Sequence, residues 1–200
     1  MALLERKGRR KSRVQYVVDF MPIDLLHDPA GLADKLFSKL KKASDNFETR
    51  IAIMRLVGRL IGRHFLAIPS FYTYVGGKYL NPKQKELSQI LALLAEACHD
   101  QTPVEEVQPV VQKIIDNFLN ERSNSALQLT IGLNTILEII RRMPMVITEG
   151  QIEYLGAFRN YKNKSVRAAL KGVVNILRDK RPEILEKKMR GRVAIEEASR

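Results

Sequence analysis

The sequence has one cysteine, Cys98, among its 200 residues. One cysteine excludes a disulfide within the chain and is typical of a protein in a reducing compartment. No stretch reaches the roughly 18 apolar residues of a membrane helix, because the best candidate, residues 51–61, is interrupted by Arg55 and Arg59. The N-terminus is basic and no apolar run follows it, so we expect neither a signal peptide nor a membrane span.

The sequence also lacks the patterns of common catalytic and cofactor sites. It contains no GxxxxGK[ST] and no GxGxxG phosphate loop. His27, His64 and His99 are scattered, and Cys98 and His99 are adjacent on a predicted helix, so they point in different directions. This spacing fits neither a zinc site nor a Cys–His dyad. We therefore predict no catalytic residue, no metal, no cofactor and no small-molecule substrate.

Positive charge is in excess, with 34 Lys and Arg against 22 Asp and Glu and a net charge of +12. Such a surplus indicates an anionic partner, which is a nucleic acid, an acidic protein or an anionic membrane. The densest cluster lies in residues 1–13, where we expect a disordered arm that binds phosphates or serves as a nuclear-localisation signal. Its cations are Arg6, Lys7, Arg9, Arg10, Lys11 and Arg13.

The remaining pattern predicts helices that are separated by capping residues and prolines. The most informative one starts at Asn124 or Ser125 and ends at Pro144, after Arg141 and Arg142. Its main apolar arc consists of Ala126, Leu129, Leu133, Ile136, Leu137, Ile140 and Met143. Leu127 and Ile131 lie off that arc, so we expect this helix to contact neighbours in more than one direction.

Further signals fix the other helix starts. The first two helices are predicted to begin at Asp28-Pro29 and at Asn46, and another at Asn81-Pro82. Residues 102–105 and 148–151 read as capping boxes, and we expect Pro109 to kink or restart the helix that contains it. A last short helix is predicted from Pro182.

The predicted helix between residues 47 and 65 carries two patterns with a spacing of four. Gly58 and Gly62 would let a neighbouring helix approach closely. Arg55, Arg59 and Arg63 form a basic ridge, which costs a few tenths of a kcal/mol per pair unless something negative covers it. Two interpretations stay open: carboxylates or water satisfy the ridge, or it binds phosphates or an acidic peptide.

Helix stops recur at a regular interval. Pro69, Pro103, Pro144 and Pro182 are 34, 41 and 38 residues apart, which is the period of paired-helix repeats. We predict an all-α fold, an irregular HEAT- or armadillo-like α-solenoid, with a non-repetitive helical bundle as the alternative. The predicted divisions are a basic arm with an extended segment at residues 1–20, a repeat domain at 21–192 and a tail at 193–200.

Several segments resemble one known family in the same order. They are FMPIDLLHDPAGLADKL, NFETRIAIMRLVGRLIGRHFL, FYTYVGGKYLNPKQKELSQILALLAEACHD, DNFLNERSNSALQLTIGLNTILEII, MPMVITEGQIEYLGAFRNYKNKSVRAAL and EILEKKMRGR. This ordered set, from about Val18 to Arg192, resembles the central region of the severe-depolymerisation-of-actin (Sda) proteins, nucleolar factors for assembly and export of the large ribosomal subunit. Those proteins are typically much longer, so we expect a reduced homologue or one segment of a longer protein.

The resemblance implies a non-enzymatic scaffold in the nucleus and nucleolus that binds pre-ribosomal RNA and large-subunit assembly factors or ribosomal proteins. Besides the arm, the cations predicted to bind RNA are Arg55, Arg59, Arg63, Lys162, Lys164, Arg167, Lys187, Lys188, Arg190 and Arg192. The alternative is a protein-binding adaptor in nuclear transport or actin organisation. A third hypothesis, a base-excision glycosylase on a helical repeat, needs a carboxylate in a basic groove. Glu138 is the candidate for that carboxylate, and we expect it to pair with Arg141 or Arg142 instead.

Overall fold

The computed structural model describes residues 21–42, 46–186 and 189–190. Within these ranges the chain forms eight α-helices and no strand, which confirms the predicted all-α class. The α-helices are α1 (Pro29–Lys42), α2 (Phe47–His64), α3 (Pro69–Tyr79), α4 (Leu87–Ala97), α5 (Val104–Phe118), α6 (Ala126–Arg142), α7 (Glu149–Gly156) and α8 (Lys164–Lys180). Short 3-10 turns cover Pro22–Leu25, Pro144–Val146, Ala157–Asn160 and Pro182–Ile184. The predicted extended segment up to residue 20 and the tail at 193–200 lie outside the described residues.

The helices stack in two layers. In one layer α2 packs on α4, α4 on α6 and α6 on α8, while α3 packs on α5 in the other. Helices that follow each other along the chain join the layers, as α3 does with α4 and α5 with α6. Each helix pair packs against the neighbouring pairs, which is the arrangement that a helical repeat needs.

Helix α6 packs between α4 and α8 in the stack. Ser125 caps it through a complete capping box with Gln128, and Pro144 lies two positions after its last residue, Arg142. The helix contacts α4, α5 and α8, and its side chains Leu133 and Ile136 are fully buried. The prediction of several contact directions is therefore confirmed, although Leu127 itself is 70% exposed.

Two glycines let α2 and α4 approach closely, as their spacing predicts. A Cβ atom on Gly62 would lie 2.0 Å from the carbonyl oxygen of Glu96, and one on Gly58 would lie 3.0 Å from that of Leu93. The Gly62 distance is far inside an ordinary van der Waals contact of 3.4–4 Å, so only glycine fits there without a shift of the backbone.

Polar side chains at the C-terminal ends of the even-numbered helices bond to the preceding part of the stack. These reach-back contacts run from Arg63 to Asp24 (2.5 and 2.7 Å), His99 Nε2 to Leu66 O (3.1 Å), Arg142 to Glu96 O (2.8 Å), and Arg181 to Pro144 O and Ile147 O (3.2 and 3.0 Å). The last three satisfy carbonyls at or just beyond the end of a helix, where intrahelical partners are missing. Successive parts of the stack are therefore joined by polar contacts as well as by apolar packing.

Two predictions about helix starts are wrong. The Thr102 hydroxyl does not cap α5, because it lies 3.1 Å from His99 Nε2 and 3.3 Å from the Tyr72 hydroxyl inside the stack. Helix α5 continues through Pro109, so it does not restart there, and a kink at Pro109 stays a prediction. Helix α4 begins at Leu87 rather than at Pro82, because Glu86 before it has a left-handed backbone (φ 55°) that no continuous helix allows.

The two chain ends fit the sequence pattern in part. Asp28 Oδ1 accepts the Gly31 N–H at 2.8 Å, so it caps α1 as predicted. The short helix predicted from Pro182 is a single 3-10 turn, Pro182–Ile184.

Candidate nucleic-acid interface

Many of the cations that are predicted to bind RNA lie outside the described residues. They are Arg6, Lys7, Arg9, Arg10, Lys11, Arg13, Lys187, Lys188 and Arg192. Their role stays a prediction.

The basic ridge on α2 is largely neutralised by carboxylates. Both oxygens of Asp24 accept from the Arg63 guanidinium, and Arg59 Nε lies 3.2 Å from Glu96 Oε1. Hydrogen bonds from Arg63 lower the pKa of Asp24, and the same bonds raise the pKa of Arg63. Arg55 is exposed and has no ion pair among the residues that the structure describes. Of the two interpretations of the ridge, the structure therefore shows carboxylate pairing for Arg59 and Arg63.

Two exposed lysines lie at the start of α8, where Arg167 forms hydrogen bonds to the backbone of the preceding loop. Arg167 Nη1 donates to the carbonyls of Tyr161 and Lys162 at 2.6 and 2.9 Å. Asn163 caps α8 through the Ser165 N–H, and the side chains of Lys162 and Lys164 are exposed. Arg167 thus has a structural role in addition to its charge.

Arg190 also donates to main-chain carbonyls. Its guanidinium bonds to Leu185 O at 2.7 Å and to Glu183 O at 2.9 Å, and the residue is half-buried. Its first effect is therefore to hold the turn after α8.

A basic groove along α8 includes cations that the sequence reasoning missed. This α8 groove has a volume of about 300 Å³ and is lined by Arg159, Arg167, Leu170, Lys171, Val174, Arg178 and Met189. The signal was present in the sequence, because Arg167, Lys171 and Arg178 recur at helical spacing on α8. Among the described residues that line the groove, none is acidic.

A larger hollow at the other end of the stack is mainly apolar. It has a volume of about 700 Å³ and lies where the turn Pro22–Leu25 meets α1 and α2. Met21, Ile23, Leu26 and Leu56 line it together with the charged residues Arg59, Arg63, Glu96 and Arg142. Met21 is 58% exposed and Leu56 40% exposed.

The buried titratable groups form a structural cluster. The Tyr72 hydroxyl donates to Ala97 O at 2.7 Å and burial raises its pKa, while burial also raises the pKa of the Cys98 thiol to about 12. The Cys98 thiol donates to Leu94 O rather than to a histidine. In the described part of the chain no group of three or more His, Cys, Asp or Glu could hold a metal ion.

The carboxylate required by the glycosylase hypothesis is already paired. Glu138 Oε1 lies 3.3 Å from Arg141 Nη1, one turn further along α6. Glu138 is not among the described residues that line the α8 groove.

No helix in the described ranges combines the length and the apolar character that crossing a bilayer requires.

Comparison with known proteins agrees with the helical stack. The family model described as "SDA1, HEAT repeat" matches residues 1–162. The chain is 37% identical over 190 residues to a Protein SDA1 homolog of Nematostella vectensis, which is 95% of this chain and 27% of that protein. It is 33% identical over 196 residues to Protein sda1 of Schizosaccharomyces pombe, which is 96% of this chain and again 27% of the relative.

The Drosophila melanogaster homolog gives the same proportions, with 33% identity over 194 residues, 97% of this chain and 27% of that protein. The chain therefore spans about 27% of the length of these relatives. A family model that covers most of the chain and relatives that are similar along it lead to one conclusion: this chain belongs to the SDA1 family, and residues 1–162 match the HEAT-repeat region of that family.

Proposed function

We propose that the chain is a non-enzymatic scaffold for assembly and export of the large ribosomal subunit, and that it acts on the precursor particle in the nucleus and nucleolus. The observation that carries the proposal is the match to the SDA1 HEAT-repeat region over residues 1–162. The partners that this proposal assigns are pre-ribosomal RNA and large-subunit assembly factors or ribosomal proteins.

The physical character of the molecule supports this role. A stack of helix pairs offers an extended surface that can contact RNA and several proteins at once. With a net charge of +12, the chain can neutralise several phosphates, and the counterions released would make its binding salt-dependent and weakly sequence-specific. The arm cations and the exposed Lys162 and Lys164 are the first candidates for these contacts.

Sedimentation tests the proposal directly. A tagged form of the chain, expressed in nucleated cells, should sediment with large-subunit precursors in a gradient at physiological salt, and ultraviolet crosslinking should recover precursor ribosomal RNA. A chain that stays at the top of the gradient and yields no ribosomal RNA would refute the proposed role.

A protein-binding adaptor in nuclear transport or actin organisation is the second candidate, and the apolar hollow beside α2 favours it. Its exposed Met21 and Leu56 are suited to cover by another protein. Deleting residues 1–13 separates the two candidates. An RNA-bound scaffold should lose affinity for ribosomal precursors and become less salt-sensitive, whereas an adaptor that uses the hollow should keep its partners.

A further inference from the structure

The α8 groove brings like charges together, and none of them has an ion pair among the residues that the structure describes. Arg167 and Lys171 are four residues apart, and Arg178 follows seven residues later on the same side of the helix. Like charges at such spacing destabilise a helix. On α2 the same problem is relieved by Asp24 and Glu96, but no described residue that lines the α8 groove is acidic. A local rule that is broken without compensation indicates a functional site.

Two of the guanidinium groups in the groove are held in place. Arg167 uses Nη1 on two loop carbonyls, and Arg178 uses Nε on Met189 O and Nη1 on Asn175 Oδ1 at 3.2 Å. These bonds orient each planar fork and leave its other nitrogens for an anion. Less side-chain freedom is then lost when an anion binds, which favours binding.

The dimensions of the groove suit an extended polyanion. At a rise of 1.5 Å per residue, Arg167 and Arg178 are about 16 Å apart along the helix axis, the length of about five stacked nucleotides at 3.4 Å each. Arg159 adds a fourth cation from the turn Ala157–Asn160, while Leu170 and Val174 form an apolar floor. Arginine forks match the oxygen pairs of phosphates, and apolar surface accommodates sugars and base faces.

We infer that the α8 groove binds the sugar-phosphate backbone of an RNA strand, through Arg159, Arg167, Lys171 and Arg178. This inference rests on the proposed function and assigns its RNA contact to one place in the fold. Arg159 and Lys171 are the best residues for a test, because both are exposed and neither makes a side-chain hydrogen bond or ion pair within the described ranges.

The test compares two double variants of equal charge. The groove variant is Arg159→Gln/Lys171→Gln. The control is Arg122→Gln/Lys83→Gln, which removes one arginine and one lysine outside the groove. Fluorescence anisotropy with a labelled polyuridine strand measures affinity over about 50 to 200 mM salt. Circular dichroism confirms that both variants fold, and a labelled polyglutamate peptide serves as the second probe.

The groove variant should bind polyuridine about tenfold more weakly than the control at low salt, and its log–log salt dependence should be shallower by about 1.4, or 0.7 per phosphate lost. Equal RNA binding by the two variants would overturn the inference. So would a groove variant that loses polyglutamate binding and keeps RNA binding, because the groove would then suit an acidic protein. The wild-type gradient result is independent of this comparison, so failure of the proposed function is distinguishable from failure of the groove.

Discussion

Replacing Gly62 with alanine tests the closest helix contact in the stack. The new Cβ atom would lie 2.0 Å from Glu96 O and 3.1 Å from the Glu96 carbonyl carbon, both of them backbone atoms of α4. A backbone cannot rotate away as a side chain can, so α2 and α4 must separate by more than about 1 Å to restore van der Waals contact. Overpacking of this kind costs about 1–3 kcal/mol, occasionally more.

The gain in helix propensity offsets part of this cost. Alanine is favoured over glycine by about 1 kcal/mol inside a helix, but a backbone clash is at the upper end of the overpacking range. We expect Gly62→Ala to lower the free energy of unfolding by about 2 kcal/mol. For a chain of this size that loss lowers the melting temperature by about 4–8 °C. Thermal and urea unfolding followed by circular dichroism measure both quantities.

Gly77→Ala is the matched control, because a Cβ atom on Gly77 would have no neighbouring atom within 4 Å and Gly77 is also helical. It should melt at the wild-type temperature or slightly above. Gly58→Ala, with its contact of 3.0 Å to Leu93 O, should fall between the two. If Gly62→Ala and Gly77→Ala unfold alike, the close α2–α4 packing described above is refuted.

Three further predictions concern single side chains. Arg181→Ala should lower the free energy of unfolding by about 2 kcal/mol, because two charge-assisted hydrogen bonds disappear. Lys180→Ala, at the exposed neighbouring residue, should change it by less than about 0.5 kcal/mol. Equal urea midpoints for the two variants would contradict this prediction. The Arg63 guanidinium lowers the pKa of Asp24 below its ordinary 3.8, so the pair stabilises the protein fully above that value and the contribution is lost as the pH falls through the lowered folded pKa. The melting-temperature gap between wild type and Asp24→Asn should therefore be present at neutral pH and close in acid; a gap that widens in acid would be inconsistent with it. Because burial raises the pKa of the Cys98 thiol to about 12, a thiol reagent at mildly alkaline pH should label it only as fast as the fold opens, and rapid labelling of the folded chain would show the burial to be wrong.

Local rules in the sequence predicted much of the fold. The N-cap at Ser125 and the capping box at Thr148 involve residues at most three positions apart, so both partners lie close together in the sequence. The same holds for Gly58 and Gly62, whose spacing indicates a close helix contact before the neighbour is known. These features depend on short-range geometry, and they were predicted correctly.

Long-range polar contacts were beyond the sequence. The sequence around Thr102 is that of a helix cap, but its hydroxyl bonds to His99 and Tyr72. The choice between a backbone N–H of its own helix and these side chains depends on the tertiary structure. Arg142 and Arg181 bond to carbonyls that are 34 to 46 residues away in sequence, and no local pattern indicates these partners. Their partners are fixed only once the helices have stacked.

The candidate interface also combines features that are visible in the sequence with features that only the fold shows. The basic ridge on α2 was visible as a pattern, but its pairing with Asp24 and Glu96 required the fold. The helical spacing of Lys171 and Arg178 on α8 was also visible in the sequence. Only the fold shows that, in contrast to the ridge on α2, no carboxylate is among the described residues that line the α8 groove. The assignments that lie outside the described residues stay predictions.

The reach-back contacts have a mechanical consequence. Each one joins the end of a helix to the unit before it, and three of them, from His99, Arg142 and Arg181, lie along the same layer of the stack. Bending that moves the helices of this layer apart would break these hydrogen bonds in successive helix pairs, whereas bending that brings them together would leave the bonds intact. The solenoid should therefore resist straightening and curling unequally, and a large particle bound along it would meet a preferred curvature rather than a freely adaptable ribbon.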